Sequence, residues 1–203
     1  MSYTICVEGN IGAGKSTLLQ YLQDNTNCQV IWEPINKWTN LNGNNLLDLW
    51  YKDPEKYSMS FQSYIQLTML QNHLVKATSR YKVLERSIFS AQHCFIANLK
   101  NNNIICNIDH TILNEWYNML IDTNDIKVDL FVYLKTSPKD LYARIKHRNR
   151  PEEENITLEY LTQIHQLHEK WLGNNQKANV LVVDASRSLA SMTKQYRDFQ
   201  GRF

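Results

Sequence analysis

Gly9-Asn10-Ile11-Gly12-Ala13-Gly14-Lys15-Ser16 reads G-x-x-x-x-G-K-S, the pattern of a loop that cradles phosphate groups. Its flanks decide how it is read. Tyr3 to Val7 (YTICV) is a β-branched and aromatic run suited to a buried strand, and Ser16 to Leu22 (STLLQYL) opens a helical pattern in Leu18, Leu19 and Leu22. Strand, glycine loop, helix is the order that separates this motif from an ordinary glycine-rich turn. The glycines let consecutive backbone N–H groups converge on phosphate oxygens at a helix N-terminus. Lys15 then brings a positive charge to the β- and γ-phosphates, and Ser16 offers a hydroxyl to Mg²⁺.

The same alternation runs outward through the chain. Cys28 to Trp32, Tyr81 to Glu85, Val128 to Leu134 and Asn179 to Val183 read as further short apolar strands. Between them lie helical patterns: Leu46 to Tyr51, Pro54 to Leu74, Ile88 to Lys100, one capped by Asp109, one starting at Pro138, and one capped by Thr157 and reaching Leu172. A short helix is expected to close the chain. Asn36 to Asn45 reads as turn. Strands alternating with helices predict an α/β protein with a five-stranded parallel sheet covered on both faces. The 203 residues suit one domain with no internal repeat or linker. A net charge of +2 is too mild to point to nucleic acid or a membrane surface, and no apolar run approaches a membrane span. Four scattered cysteines with no C-x-x-C pair fit a reducing compartment. The first strand starts near residue 3, leaving no room for a targeting peptide, so the cytosol is expected.

In such folds ligands bind at the carboxyl ends of the strands. That rule selects Glu33 after the second strand and Glu85-Arg86 after the third. A carboxylate facing the phosphate loop can accept a proton from an attacking hydroxyl. Glu85 stands where a carboxylate can organise magnesium, and Arg86 can bridge Glu33 and a transferring phosphoryl group. The alternative for each is an ordinary ion pair. Arg144, Arg148 and Arg150 precede the break at Pro151. They read as a lid over a triphosphate, whose spread charge such arginines neutralise, or as a solvated basic face. His165 and His168 lie three apart on a helix without a third ligand nearby, and read as part of a polar face rather than a zinc site.

These landmarks together resemble the deoxynucleoside kinases of the animal mitochondrial thymidine kinase and insect deoxynucleoside kinase type. The resemblance covers nearly the whole chain. It is carried by Glu33-Pro34 followed by Lys37-Trp38, by FQSYIQLTML (Phe61 to Leu70), by ERSIFSA (Glu85 to Ala91), and by RPEEENITLEYL (Arg150 to Leu161) leading to HQLHEKWL. It implies a P-loop kinase fold with a lid at about residues 144–155, and ATP- and Mg²⁺-dependent phosphorylation of a deoxynucleoside 5′-hydroxyl. The implied ATP cradle is Gly9, Asn10, Ile11, Gly12, Ala13, Gly14, Lys15, Ser16 and Thr17, with Arg144, Arg148 and Arg150 in the lid and Asp184 and Ala185 near the adenine. Glu33 is the implied base, Arg86 and Lys15 assist transfer, and Ser16 and Glu85 serve the metal. On the acceptor side Gln62 reads the base, Phe95 stacks on it, Tyr51 and Glu153 hold the 3′-hydroxyl, and Trp38, Phe61, Ile65, Met69 and Ala91 shape the pocket.

Residue chemistry supports several of these roles. A glutamine amide carries a donor and an acceptor, so it can pair with thymine or with cytosine. Tyr51 beside the sugar would crowd a ribose 2′-hydroxyl. Apolar Met69 and small Ala91 leave room for a thymine methyl, where relatives that prefer deoxycytidine and purines carry an arginine and an aspartate. Thymidine and deoxycytidine are therefore the expected substrates, a deoxynucleoside triphosphate the expected feedback inhibitor, and a homodimer through helices around Ile65 to Lys76 and Ala91 to Lys100 the implied assembly. Thr39, Asn40 and Pro151 depart from the usual pattern but touch no catalytic position. A nucleoside monophosphate kinase would need a clamp for an acceptor phosphate, which anionic Glu33 would repel. A GTPase would need N-K-x-D, and Asn36-Lys37 is followed by Trp38-Thr39. A kinase-fold subunit without turnover would not need Lys15, Glu33, Arg86 and the lid arginines.

Overall fold

The computed structural model describes residues 2–173 and 179–186. Five parallel strands form one sheet in the order β2-β3-β1-β4-β5: β1 Tyr3–Glu8, β2 Cys28–Ile31, β3 Tyr81–Glu85, β4 Leu130–Lys135 and β5 Val180–Asp184. β1 lies in the middle, pairing Val7 with Glu85 of β3 and with Val132 of β4. Its five residues after Tyr3 are all buried, which is why the strand is an unbroken apolar run rather than an alternating one. The period of two survives in what each side chain meets. Ile5, Val7, Val83, Val132 and Leu134 pack with Leu18, Leu19, Leu22, Leu141 and Leu161 on one face. Cys6, Leu84, Phe131 and Tyr133 pack with Leu172 on the other.

The helices are α1 Lys15–Asn25, α2 Ile35–Thr39, α3 Leu46–Lys52, α4 Pro54–Leu74, α5 Ile88–Ser90, α6 Ala97–Asn101, α7 Asn107–Thr123, α8 Pro138–Arg148 and α9 Leu158–His168. Three of the long helices, α4, α8 and α9, start at a side-chain cap. Asp53 accepts from the Lys56 amide ahead of Pro54, Ser137 from Asp140 ahead of Pro138, and Thr157 from Tyr160. Cys106, not Asp109, caps α7, its Sγ accepting from the Asp109 amide. Beyond the strand ends, α2, α3, α4, α7 and residues 88–101 enclose a second cluster around Trp38, Trp50, Phe61, Met69, Ile96 and Leu113.

Several expectations change. The turn predicted at Asn36 to Asn45 contains α2, held by Trp38, whose indole Nε1 donates to Thr68 Oγ1 at 3.0 Å. The helix predicted over Ile88 to Lys100 is interrupted by a π-helical stretch, Ala91–Ile96, and α9 passes into another, Glu169–Gly173. α8 ends at Arg148, where Asn149 turns left-handed (φ 52°), so Arg150 lies outside the helix. The His165–His168 pair is not a polar face: His168 is fully buried and stacked on Tyr133. Among the described residues no cluster of three or more His, Cys, Asp or Glu could hold a metal ion. Residues 88–101 present no large exposed apolar side chain; Ile108, Ile112, Trp116 and Met119 of α7, with Leu67 and Leu74 of α4, do. No helix of the described residues is long and apolar enough to cross a membrane. The short closing helix and the stretch between Gly173 and Asn179 lie outside the described residues.

Candidate active site

The carboxyl ends of β1, β2 and β3 open into a cavity of about 600 Å³. The glycine loop forms its floor at one end. Gly9 has φ 145°, and a Cβ there would sit 2.8 Å from the Leu134 carbonyl oxygen; Gly12 and Gly14 also have positive φ, at 80° and 92°. Other residues would strain this path. The Asn10 side chain fastens the loop, donating to Leu161 O at 2.8 Å while its Oδ1 accepts from the Ile11 amide. Lys15 curls back along the loop, its Nζ donating to Asn10 O at 3.0 Å and Gly9 O at 3.3 Å. Burial, followed by the Arg86 charge, pulls its pKa down to about 8, against Glu33, Glu85 and Glu8. An ammonium held this way, in a low dielectric with only carbonyl partners, favours an anionic ligand.

Two carboxylates arrive from neighbouring strands. Glu85 at the end of β3 accepts from Ser16 Oγ at 2.6 Å. Glu33, two residues past β2, accepts from Arg86 Nε at 2.8 Å. Arg86 is buried, lies 4.8 Å over the Phe95 ring, and leaves Nη1 without a partner among the described residues. A buried guanidinium N–H without a partner is a donor kept for a ligand.

Further along, the cavity is walled by Trp38, Phe61, Gln62 and Ile65, by Ala91 and Phe95 of the π-helical stretch, and by Tyr51. Trp50 and Trp38 flank the Phe61 ring, with centroids at 5.2 and 5.9 Å. Gln62 is 1% exposed and its Oε1 has no partner among the described residues. Burial, then the nearby Tyr160, raises the Tyr51 pKa, so its phenol stays protonated. The third side comes from α8 and the turn after it. Arg148 Nη2 donates to both Glu153 oxygens at 2.6 Å, and Arg150 Nη1 lies 3.6 Å from Glu153. Arg144 Nη2 donates to Ala185 O at 2.8 Å, tying α8 to the residue after β5.

The residues expected from the sequence thus share one cavity, with four exceptions. Gly9 and Asn10 stand behind the loop as carbonyl partners of Lys15. Asp184 lies beside the cavity, accepting from the Ser186 amide at 3.1 Å. Met69 is buried behind the wall in the cluster that includes Phe61 and Ala91. Ile35, Leu47, Trp50 and Tyr160 line the cavity without having been singled out. Their apolar or aromatic character at helical spacing is the signature of packing, and only the fold shows that a cavity interrupts that packing.

A family model described as deoxynucleoside kinase matches residues 5–202. The chain belongs to the deoxynucleoside kinase family. It is similar to mitochondrial thymidine kinase 2 of Macaca fascicularis, 40% identical over 202 residues, covering 98% of this chain and 76% of that protein. A probable deoxycytidine kinase of fowlpox virus is 40% identical over 176 residues, covering 85% and 73%. Human deoxycytidine kinase is 31% identical over 193 residues, covering 83% and 74%. The reaction is therefore phosphorylation of a deoxynucleoside by a nucleotide donor.

For such a kinase the donor's metal is a question the residues can answer. A magnesium ion takes oxygen ligands, keeps several waters, and is shared with substrate phosphates rather than caged by protein. One hydroxyl and one carboxylate, Ser16 and Glu85, meet at the mouth of the phosphate loop. They fit an ion bound in that manner.

Proposed function

We propose that this kinase transfers the γ-phosphoryl group of ATP, with Mg²⁺, to the 5′-hydroxyl of thymidine and deoxycytidine. The observation that carries the reading is the Arg86–Glu33 contact facing Lys15 across one cavity. That these three line one cavity supports a proton acceptor and phosphate-binding donors serving one pair of reactants. Glu33 takes the proton as the O5′–Pγ bond forms and the bond from Pγ to the β-phosphate oxygen breaks, releasing ADP. Arg86 holds Glu33 through Nε and offers Nη1 to the moving phosphoryl group. Lys15 and the part of the loop that lines the cavity, Ile11 to Thr17, hold the β- and γ-phosphates. Arg144, Arg148 and Arg150, in a lid of about residues 144–155, offset charge on the equatorial oxygens. Magnesium, when bound at Ser16 and Glu85, supplies further charge neutralisation.

On the acceptor side, the free Oε1 of Gln62 awaits an N–H from the base edge. Phe95 offers a stacking face, and Tyr51 and Glu153 meet the 3′-hydroxyl. Ala91 leaves space beside a pyrimidine ring, with Met69 behind it. A deoxynucleoside triphosphate could lie with its base in this pocket and its phosphates on the loop, making feedback inhibition competitive with thymidine. The exposed apolar face of α7 and α4 is the surface we assign to a homodimer, and four free cysteines suit a reducing compartment, the cytosol in this reading.

A radiolabel transfer assay tests the substrate assignment by offering thymidine, deoxycytidine, deoxyguanosine and thymidine monophosphate in parallel with MgATP. Turnover of the two pyrimidine deoxynucleosides well above the others is the expected result. A kcat/KM for deoxyguanosine equal to that for thymidine, or phosphorylation of thymidine monophosphate alone, would sink it.

A further inference from the structure

Glu8 ends β1 with no exposed surface, one residue before the phosphate loop. A carboxylate taken out of water needs donors. Ser87 Oγ donates to its Oε1, and its Oε2 has no partner among the described residues. Burial pushes the carboxyl up to about 7, while Arg86, Ser87, Ser90 and Lys15 pull the other way. Phosphoryl transfer as set out above gives this group no step.

Ser87 points to what Glu8 does. It occupies the N-cap position of α5, with φ −131° and ψ 166°. A serine there ordinarily accepts from an amide of the first helical turn. Ser87 makes no such bond, and its hydroxyl is directed at Glu8 instead. The Ile88 amide is met by His73 Nε2 at 3.3 Å.

The residue before it, Arg86, is left-handed at φ 64°. A long side chain keeps that conformation only where its surroundings over-determine it. Two consecutive ties do so. The Arg86 amide donates to Val7 O at 3.0 Å, and one residue on, Ser87 donates to Glu8. From this turn the Arg86 guanidinium reaches Glu33 at 2.8 Å.

We propose that Glu8 is a positioning residue of this kinase: its carboxylate, through the Ser87 hydroxyl, locks the left-handed turn at Arg86 and so aims Arg86 at Glu33. This rests on Glu33 being the proton acceptor. Charge on Glu8 is not required, only an acceptor oxygen at that point.

Steady-state kinetics with thymidine and MgATP on five variants, each with its melting temperature, tests it. Ser87→Ala, a small change at a buried site, is expected to lower kcat about tenfold and leave both KM values within twofold. Glu8→Leu should match it. Glu8→Gln, which keeps an acceptor oxygen, should stay within threefold of the native enzyme. In a Glu33→Gln background Ser87→Ala should cost less than it does on the native enzyme, since the part of its effect that runs through the Arg86–Glu33 contact is already lost. The proposal is overturned if Ser87→Ala keeps kcat within twofold, if its loss multiplies in full on Glu33→Gln, or if it lowers only the melting temperature. Should Glu8→Leu not fold, Ser87→Ala and Glu8→Gln decide alone. If Glu33→Gln by itself keeps native kcat, the base assignment fails instead, a separate and visible result.

Discussion

Replacing Gln62 with leucine should stabilise the free enzyme and cripple it toward nucleosides. Gln62 sits on α4 at 1% exposure, and its Oε1 has no partner among the described residues. A buried polar group left unpaired costs about 1–3 kcal/mol. Leucine has nearly the same volume and no such cost. In a chain of this size 1 kcal/mol moves the melting temperature by about 2–4 °C, so Gln62→Leu should raise it by roughly 2–12 °C. The complex responds in the opposite direction. The donor and acceptor of the base edge that faced the amide are then both buried without partners. At about 1–3 kcal/mol each, the combined loss is at least ~2 kcal/mol, or about 30-fold in kcat/KM. Calorimetry on the free protein and initial rates on thymidine measure the two halves. A lowered melting temperature would mean the amide oxygen is already satisfied in the free fold. A kcat/KM within fivefold of native would mean Gln62 does not read the base. Either result refutes the reasoning.

Two further outcomes are expected. His73 and His168 are buried, and desolvation first, with neighbouring Lys82 or Arg86 second, lowers their pKa values to about 4 and about 3. The unfolded chain therefore binds protons on these groups first as pH falls below ~6.5, so stability is full above that pH and drops by about 1.4 kcal/mol per pH unit for each histidine down to the folded values. Glu8, pushed up to about 7 in the fold, takes its proton in the native state first and offsets about one of the two histidines, so stability from pH 7 to 5 should still fall, by about 1.4 kcal/mol per unit net, and His168→Phe should flatten the slope; an unchanged slope would contradict the assignment. Met69 is 1% exposed beside the cavity wall, so Met69→Arg alone should destabilise the fold by about 3–5 kcal/mol as an unpaired buried charge. Adding Ala91→Asp should recover much of that stability while lowering kcat/KM for thymidine more than for deoxycytidine, which parallel melts and rates would check.

The sheet and its ligand end were legible because each strand is a short apolar run closed by a polar residue. Tyr81 to Glu85 matches β3 residue for residue, and the others shift by one or two positions. Glu33, Glu85 and Arg86 were found by one rule, that chemistry follows the strand ends. The same rule would have reached Glu8, had β1 been carried one residue past Val7. What stayed hidden depends on tertiary contact. The π-helical stretch Ala91–Ile96 was one such feature, since an i to i+5 pattern leaves no periodic signature. α2 is five residues of modest helical propensity that form around the Trp38–Thr68 bond. The apolar stripe of α7 was visible in the sequence, but only the packed fold shows that Ile108, Ile112, Trp116 and Met119 face outward.

The central claim is that Glu33 takes the proton from the attacking 5′-hydroxyl while Arg86 steadies it. Single-turnover transfer from γ-labelled MgATP to thymidine, comparing the native enzyme with Glu33→Gln under saturating substrates, addresses it most directly. General-base catalysis contributes about 10²–10⁴-fold. The account predicts a loss of that order in the transfer rate, with ATP and thymidine still bound at near-native affinity. A Glu33→Gln enzyme that transfers the phosphoryl group at the native rate would contradict it.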